Sequence, residues 1–415
     1  MPWRRVNELC VNDRAYRVWV SEMMLQQTQV ATVVAYYNKW MKRWPTVKDL
    51  ANATCEEVNE MWAGLGYYSR GRRLLEGAQK VMRDFNGKIP DTSHQLRTLP
   101  GVGQYTAAAI ASIVFNEPCG VVDGNVVRVL SRMRSIGSDT SQQKTIQHFW
   151  KVADNIVDHE KPGDFNQSLM ELGAIVCTPK TPLCSTCPVK SCCRAVETAT
   201  TCPNDSTDIE ALDFKSDCEL CLPVEKWQPS VGVMNYPQKS AKIKVQEEQF
   251  AVAIVRCRLH YILTQRPNQG LLAGMWQFPS VSVDSSSSER TMKESLSSCL
   301  LLHLNVGGIS PASLDKIGQI KHAFSHRHHV YHVFKAEISD KSCLGDEMPQ
   351  LMEAKWVSAE ELLQSAISTG VKKIFQLFQS SLKAKPNRKR LRSVKLTSSS
   401  AKIRQTTLDE VCRKA

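Results

Sequence analysis

The chain has 415 residues, enough for two domains with linkers, and its 42% hydrophobic and 23% charged content is ordinary for globular domains. No apolar run reaches the ~18 residues of a membrane span, so no membrane partner is expected. The formal net charge of +12 favours a polyanion. Fifteen cysteines, eight of them crowded between Cys177 and Cys221, fit reduced thiols and metal sites in an intracellular compartment better than a disulfide scaffold.

The chain opens abruptly on Met1-Pro2-Trp3-Arg4-Arg5, as a fragment or short form would, with no secretory signal. Residues 14–195 read mainly as helices: apolar positions recur at helical spacing through Val18, Leu25 and Val33, and again through Leu74, Ala78 and Val81. Glu22 stands in the unusually apolar stretch Trp19-Val-Ser-Glu22-Met-Met-Leu-Gln26-Gln27. A carboxyl in such surroundings has a raised pKa and can serve as an acid near neutral pH; the plainer alternative is a glutamate on a solvated helix face. Gly64-Leu-Gly-Tyr67-Tyr68-Ser-Arg70-Gly-Arg-Arg73 sets aromatic rings beside a basic cluster, as stacking with phosphate contacts requires, or as two core tyrosines next to a charged turn would look.

Leu99-Pro-Gly101-Val-Gly103-Gln-Tyr105-Thr-Ala107 reads as a helix-hairpin-helix. Its glycines allow a tight turn and a close approach to a ligand, and a helix starting near Gln104 offers free N–H groups to a phosphate. Such a hairpin touches backbone and carries no base readout. About twenty residues on comes Val121-Val-Asp123-Gly-Asn125. An Asp in front of a helix is usually an N-cap, and the same carboxylate can cap its helix while facing a sugar.

Four cysteines then fall in seventeen residues, Cys177-x6-Cys184-x2-Cys187-x5-Cys193. Cysteines used as small hydrophobes scatter; this spacing wraps a loop around one centre, either structural zinc or an iron–sulfur cubane. Cys192 fits the spacing less well than Cys193. Residues 196–247 lose periodicity and read as a connector with some local order. From 248 to 380 strand-like runs appear (Phe250–Val255, Tyr261–Thr264, His329–Phe334, Ala354–Val357) with a helix near Ala359–Ser368, giving a second, α+β domain. Residues 381–415 are a basic tail with a nuclear-localisation-like run, Lys383–Arg392, that reads as disordered.

Taken in order, these motifs resemble the adenine DNA glycosylases of the MutY type, closely over residues 2–195 and more loosely over 248–380. The resemblance implies a helix-hairpin-helix glycosylase domain (1–195) with a [4Fe–4S] cluster on Cys177, Cys184, Cys187 and Cys193, then a connector (196–247), a Nudix-like α+β domain (248–380) and the tail. It implies a monomeric enzyme, acting on double-stranded DNA, that removes adenine mispaired with 8-oxoguanine or guanine. Glu22 would protonate adenine N7 and Asp123 would stabilise the oxocarbenium-like sugar, with Tyr105 and Asn125 in the catalytic pocket and Trp3, Arg4 and Gln167 lining it. Gln26 and Gln27 would enter the duplex, Tyr67 would wedge beside 8-oxoguanine, and Gly101 and Gly103 would turn the hairpin against DNA.

Tyr105 stands where bifunctional endonuclease III-like relatives carry a lysine that attacks the sugar, so no strand cutting is expected. Arg266–Pro279 resembles the family's Nudix-like domain, but the paired glutamates that hold magnesium in Nudix hydrolases are missing from 280–294, which implies recognition in place of hydrolysis. Phe324, Ser325 and His326 match the 8-oxoguanine reader. The connector offers Cys202, Cys218 and Cys221 as candidate zinc ligands, at a spacing longer than the family's. Gln405, Leu408, Val411 and Cys412 resemble a sliding-clamp box without its two aromatics. The N-terminal segment that precedes Pro2 in the family is where a mitochondrial address lies, so a nuclear location is expected here and a mitochondrial one for longer forms. The competing readings are a bifunctional glycosylase/lyase, a non-catalytic mismatch-binding protein and a nucleotide-pool hydrolase.

Overall fold

The computed structural model describes residues 2–4, 9–201, 219–238, 245–267, 269–304, 306, 308–324, 327–338 and 353–383. Ser325, His326, Cys202, Cys218, the localisation-like run beyond Lys383 and the clamp-like box lie outside them.

The N-terminal half is helical, as its periodicity predicts. It comprises α1 (Val11–Leu25), α2 (Val30–Arg43), α3 (Val47–Ala51), α4 (Cys55–Trp62), α5 (Ser69–Asp84), α6 (Ser93–Leu96), α7 (Gln104–Phe115), α8 (Gly124–Arg134), α9 (Gln143–Ile156), α10 (Pro162–Glu171) and α11 (Arg194–Thr201). Local chemistry sets several of the starts. Thr46 with Asp49 and Thr54 with Glu57 form reciprocal capping boxes on α3 and α4. Helix α7, Gln-Tyr-Thr-Ala-Ala-Ala-Ile-Ala-Ser-Ile-Val-Phe, is apolar almost all round and is therefore central, with Ala107, Ala109, Ile110 and Ala111 fully buried.

Helix α7 divides two cores. One gathers Trp19, Trp40, Trp62, Leu74 and Ala78 from α1–α5; there the Trp40 indole donates to Tyr16 Oη at 3.1 Å and Tyr16 Oη donates to the Trp44 carbonyl at 3.0 Å, so these two rings are buried with their polar tips satisfied. The other gathers Val126, Leu130, Phe149 and Ala153 from α8 and α9. The groove between these lobes is where the carboxylates meet.

The local order expected in the connector takes a definite form. Residues 219–238 pack on the helical domain: Leu222, Trp227 and Tyr236 form a small core with Ala195, the Gly137 N–H donates to the Leu220 carbonyl, and the Arg132 guanidinium donates to the Tyr236 carbonyl. Three large anchors at irregular spacing bury this stretch, and periodicity cannot register them.

The C-terminal half is a seven-stranded sheet of β1 (Gln246–Cys257), β2 (His260–Gln265), β3 (Trp276–Gln277), β4 (Ser280–Val283), β5 (Asp315–Ala323), β6 (Arg327–Ile338) and β7 (Ala354–Ser358). The strand order is β3-β2-β1-β6-β5, with β4 paired to β1 and β7 to β2. Strand β1 alternates as a strand covered on both sides should. Val252 and Ile254 face Phe375 and Phe378 of α14 (Thr369–Lys383), while Ala251, Ala253 and Val255 face Met292, Leu296 and Leu300 of α12 (Glu289–Leu304). The helix expected near 359–368 is α13 (Ala359–Gln364). The α+β expectation holds, but α12 and α14 escaped the sequence reading.

The halves meet through β3 and the loop before it. Met275 is buried in the core of the helical domain, the Trp276 indole donates to Glu56 Oε1 at 3.2 Å, and Lys355 Nζ lies 4.1 Å above the Trp276 ring.

Candidate active site

Glu22 lies on the last turns of α1, where Val18, Trp19 and Met23 turn the helix face inward, and is 6% exposed. Burial, opposed by a hydrogen bond from Tyr105 and reinforced by the charge of Asp123, lifts its pKa to about 7. Tyr105, one turn into α7, donates its hydroxyl to Glu22 Oε2 at 2.7 Å. Burial and the neighbouring carboxylate hold the tyrosine's own pKa well above the ordinary phenol range, so it remains a donor. A carboxyl with this pKa is half protonated at neutrality, the condition for a general acid.

Asp123 is the N-cap of α8. One of its oxygens accepts from the Val126 N–H and the other from the Asn125 side chain, both at 2.7 Å. It caps the helix, as its position before α8 predicts, and its charge is felt at Glu22. Asn125 in turn accepts from Arg128 at 2.8 Å, and Arg128 also donates to the carbonyls of Gly173 and Cys177. The π-helical turn Leu172–Val176 brings Gly173 so close that a Cβ there would meet Asn125 Cβ at 2.7 Å. One chain of hydrogen bonds therefore runs from Asp123 to the backbone of the cysteine loop.

Glu22, Tyr105, Asp123, Asn125, Trp3, Arg4 and Gln167 all line one groove of about 670 Å³ between the two lobes. Sequence reasoning missed three charged neighbours on its wall: Arg14, Asp164 and Glu171. Arg4 and Glu171 form an ion pair at 3.0 Å, and Trp3 packs edge-on against Tyr37. Only distance in space unites these residues.

A second surface lies beside the groove. Gly101 turns at φ +77°, and a Cβ there would meet Arg73 Cβ at 2.9 Å and Met23 Cε at 3.0 Å, so the hairpin requires glycine at this position. Gly103 is the N-cap of α7, no side chain caps that end, and nothing lies within 4 Å of the place of its missing Cβ. This leaves a helix N-terminus open to a phosphate.

Gln26 donates to Thr106 at 3.3 Å, while Gln27 is exposed at φ 55°. Behind both loops sits Arg70, 4% exposed, which donates to the carbonyls of Met23, Met24, Gln26, Gly66 and Tyr67 and to the Thr28 hydroxyl. Its guanidinium packs against the Trp62 and Tyr67 rings, and burial lowers its pKa to about 10. This one side chain fixes the glutamine loop to the tyrosine loop, a tie no motif announced. Tyr67, exposed at φ 49°, shares a cleft of about 400 Å³ with Phe324 of the other domain.

Comparison with known proteins bears on this arrangement. The model of the HhH-GPD superfamily of base excision DNA repair proteins matches residues 20–155, and that of the NUDIX domain matches 251–377. The human adenine DNA glycosylase is 46% identical over 91% of this chain and 71% of its own length. This chain belongs to the adenine DNA glycosylase family. The rat adenine DNA glycosylase is 44% identical over 91% of the chain and 75% of its own. A thermostable thymine-DNA glycosylase of known structure superposes with a TM-score of 0.43 over 48% of this chain and 88% of that one, at 28% identity. As a member of that family, the chain is a DNA glycosylase of base excision repair.

In this glycosylase Cys177, Cys184, Cys187 and Cys193 all line one cavity, with Val129, Leu172 and Val233 around them. All four are free thiols, and the neighbouring Cys192 is exposed and outside the cavity wall. Burial first, then the facing Cys177, raises the pKa of Cys184, so the sulfurs feel one another. Arg132 Nη1 lies 3.3 Å from Cys177 Sγ and donates to the Thr178 carbonyl, setting a positive charge against the thiol set. Among the described residues no three His, Cys, Asp or Glu side chains are gathered as ligands of a metal ion. Four thiols lining one cavity, with Arg132 beside them, are the donor set that one metal centre would need. Of the candidate zinc ligands in the connector, Cys221 is described and Cys202 and Cys218 lie outside the described residues.

Proposed function

We propose that this enzyme is monofunctional and excises adenine from A:8-oxoguanine pairs, and more weakly from A:G, leaving an abasic site. The observation that carries the reading is the pairing of two carboxyls across one groove, Glu22 protonatable near neutrality beside the Tyr105 hydroxyl and Asp123 held by its helix cap. The target base leaves the stack to reach the groove, since its glycosidic bond is out of reach in the duplex. Protonated Glu22 gives its proton to adenine N7, the C1′–N9 bond breaks with its electron pair going to the base, and the carboxylate of Asp123 faces the positive sugar until water adds at C1′ and loses a proton. This is the two-carboxylate logic of glycoside hydrolysis. No lysine lines the groove among the described residues, and Tyr105 stands at the hairpin position where a Schiff base would need one.

Lesion reading is assigned to Tyr67 and Phe324, which line one cleft, and on the sequence motif alone to Ser325 and His326. A [4Fe–4S] cluster on the four cysteines is assigned a structural role: it would tie the loop after α10 to α8, and Arg132 would neutralise part of its charge. Contact with a sliding clamp through the tail, and a nuclear location, rest on the sequence motifs alone.

The test uses a duplex with one A:8-oxoguanine pair, treated with alkali after incubation, with A:T duplex and Asp123→Asn as controls. Cleavage at the adenine only after alkali, lost in the variant, is expected. Strand cutting without alkali, or a borohydride-trapped covalent complex, would refute the monofunctional reading.

A further inference from the structure

Phe324, just past the end of β5, stands against a buried polar cluster. Strands β5 and β6 form a hairpin closed by the Phe324 N–H on the Arg327 carbonyl at 2.8 Å, and across it His322 pairs with His329. His329 is 3% exposed. Its Nδ1 is 3.0 Å from Tyr331 Oη, and its Nε2 lies 3.0 Å from Glu248 Oε2, though too obliquely for a hydrogen bond. Glu248 is delivered by the parallel register of β1 with β6, which sets it opposite the histidine, and its other oxygen accepts from Arg327 at 2.7 Å. Tyr331 thus holds the imidazole at Nδ1, while the Glu248 carboxylate stands at Nε2. One face of the cluster is closed by Phe250, whose ring centre lies 4.8 Å away; against another stands the Phe324 ring, at 4.6 Å and 61°. His322 contacts that ring perpendicularly at 4.7 Å.

We propose that His329 is a positioning residue for lesion discrimination: locked between Glu248 and Tyr331, it aims Phe324 into the interdomain cleft facing Tyr67. The inference rests on the reading that Phe324 takes part in recognising 8-oxoguanine. The physical reason is economy of anchors. An aromatic ring just past the end of a strand has no fixed direction of its own, and an edge-to-face partner contributes only if it cannot rotate away. A histidine with one aligned bond and one opposed carboxylate meets that condition, where an aliphatic residue of similar size would pack but not orient. Glu248 serves both ends of the turn, through His329 to Phe324 and directly to Arg327.

The experiment uses the full chain and measures, for A:8-oxoguanine and A:G duplexes, the dissociation constant and the single-turnover excision rate at saturating enzyme. His329→Ala and Tyr331→Phe are compared with Phe324→Ala. Tyr331→Phe removes only the hydroxyl, so it keeps the proposal testable if His329→Ala fails to fold. The expected result is that both variants narrow the preference for 8-oxoguanine, by about threefold to tenfold for His329→Ala, the size of one lost edge contact, and by less for Tyr331→Phe. The saturated rate on A:8-oxoguanine should stay unchanged. Undiminished discrimination in both variants, with Phe324→Ala losing it, would overturn the role of His329. Undiminished discrimination in all three would overturn the lesion reading itself. An equal slowing on both duplexes at saturation would show structural damage only and would also overturn the proposal.

Discussion

Replacing the proposed general acid should make the protein more stable, by an amount that grows as pH rises from 4.5 to 7 and is full above that window. Glu22 is buried and its pKa rises from 4.5 to about 7 on folding. Below pH 4.5 the carboxyl is neutral in both folded and unfolded chains and costs nothing. As pH rises from 4.5 to 7 the unfolded chain releases the proton and the folded one keeps it, so stability falls through that window; above it the loss is complete. With ~1.4 kcal/mol for each pH unit between the two pKa values, the deficit at pH 8 is about 3 kcal/mol. Gln in place of Glu22 copies the neutral acid and can still accept from Tyr105. Urea unfolding of Glu22→Gln against the parent should therefore show a gain of about 3 kcal/mol at pH 8 and under about 1 kcal/mol at pH 5, with excision lost at both. An equal difference at the two pH values, or a variant less stable at pH 8, would refute the claim that Glu22 is held in a protonating environment.

Excision rate under single turnover should fall above about pH 7, by about tenfold per pH unit once Glu22 is ionised; because the Tyr105 hydroxyl holds the Glu22 pKa down, Tyr105→Phe should move that limb to higher pH. Arg70→Met leaves the carbonyls of Met23, Met24 and Gln26 without their buried donor and should destabilise the helical domain by about 3–5 kcal/mol, read by thermal or urea unfolding. The two hairpin glycines should separate: Gly101→Ala, strained and crowded by Arg73, should lower both stability and DNA affinity, whereas Gly103→Ala meets no neighbour and should leave stability within about 0.5 kcal/mol while weakening DNA binding. Cys187→Ser should reduce the iron content of the purified protein and loosen the loop after α10; an unchanged iron-to-protein ratio would remove this thiol from the ligand set.

By itself the sequence determined the helical half, the strands that alternate, and the groups with chemistry to offer. Glu22 in an apolar stretch, Gly101 in a turn, Asp123 before a helix and four clustered cysteines are all local signals, since they depend on neighbours within a few residues. Charge and motif order were enough to indicate DNA, and the α+β character of the second half followed from strands such as Phe250–Val255. What only the tertiary structure decided depends on approach in space. It joined Glu22 of α1 to Tyr105 of α7 and Asp123 of α8 across one groove, and it revealed Arg14, Asp164 and Glu171 on that wall. It made Arg70 a tie between two loops and Arg128 a bridge to the cysteine loop, because a buried arginine is defined by the carbonyls it finds. It turned half of the supposed connector into packed structure through Leu222, Trp227 and Tyr236, whose irregular spacing has no period to detect. It also set Phe324 opposite Tyr67, since sheet register and domain contact, which no local pattern encodes, place residues distant in sequence on the two sides of one cleft.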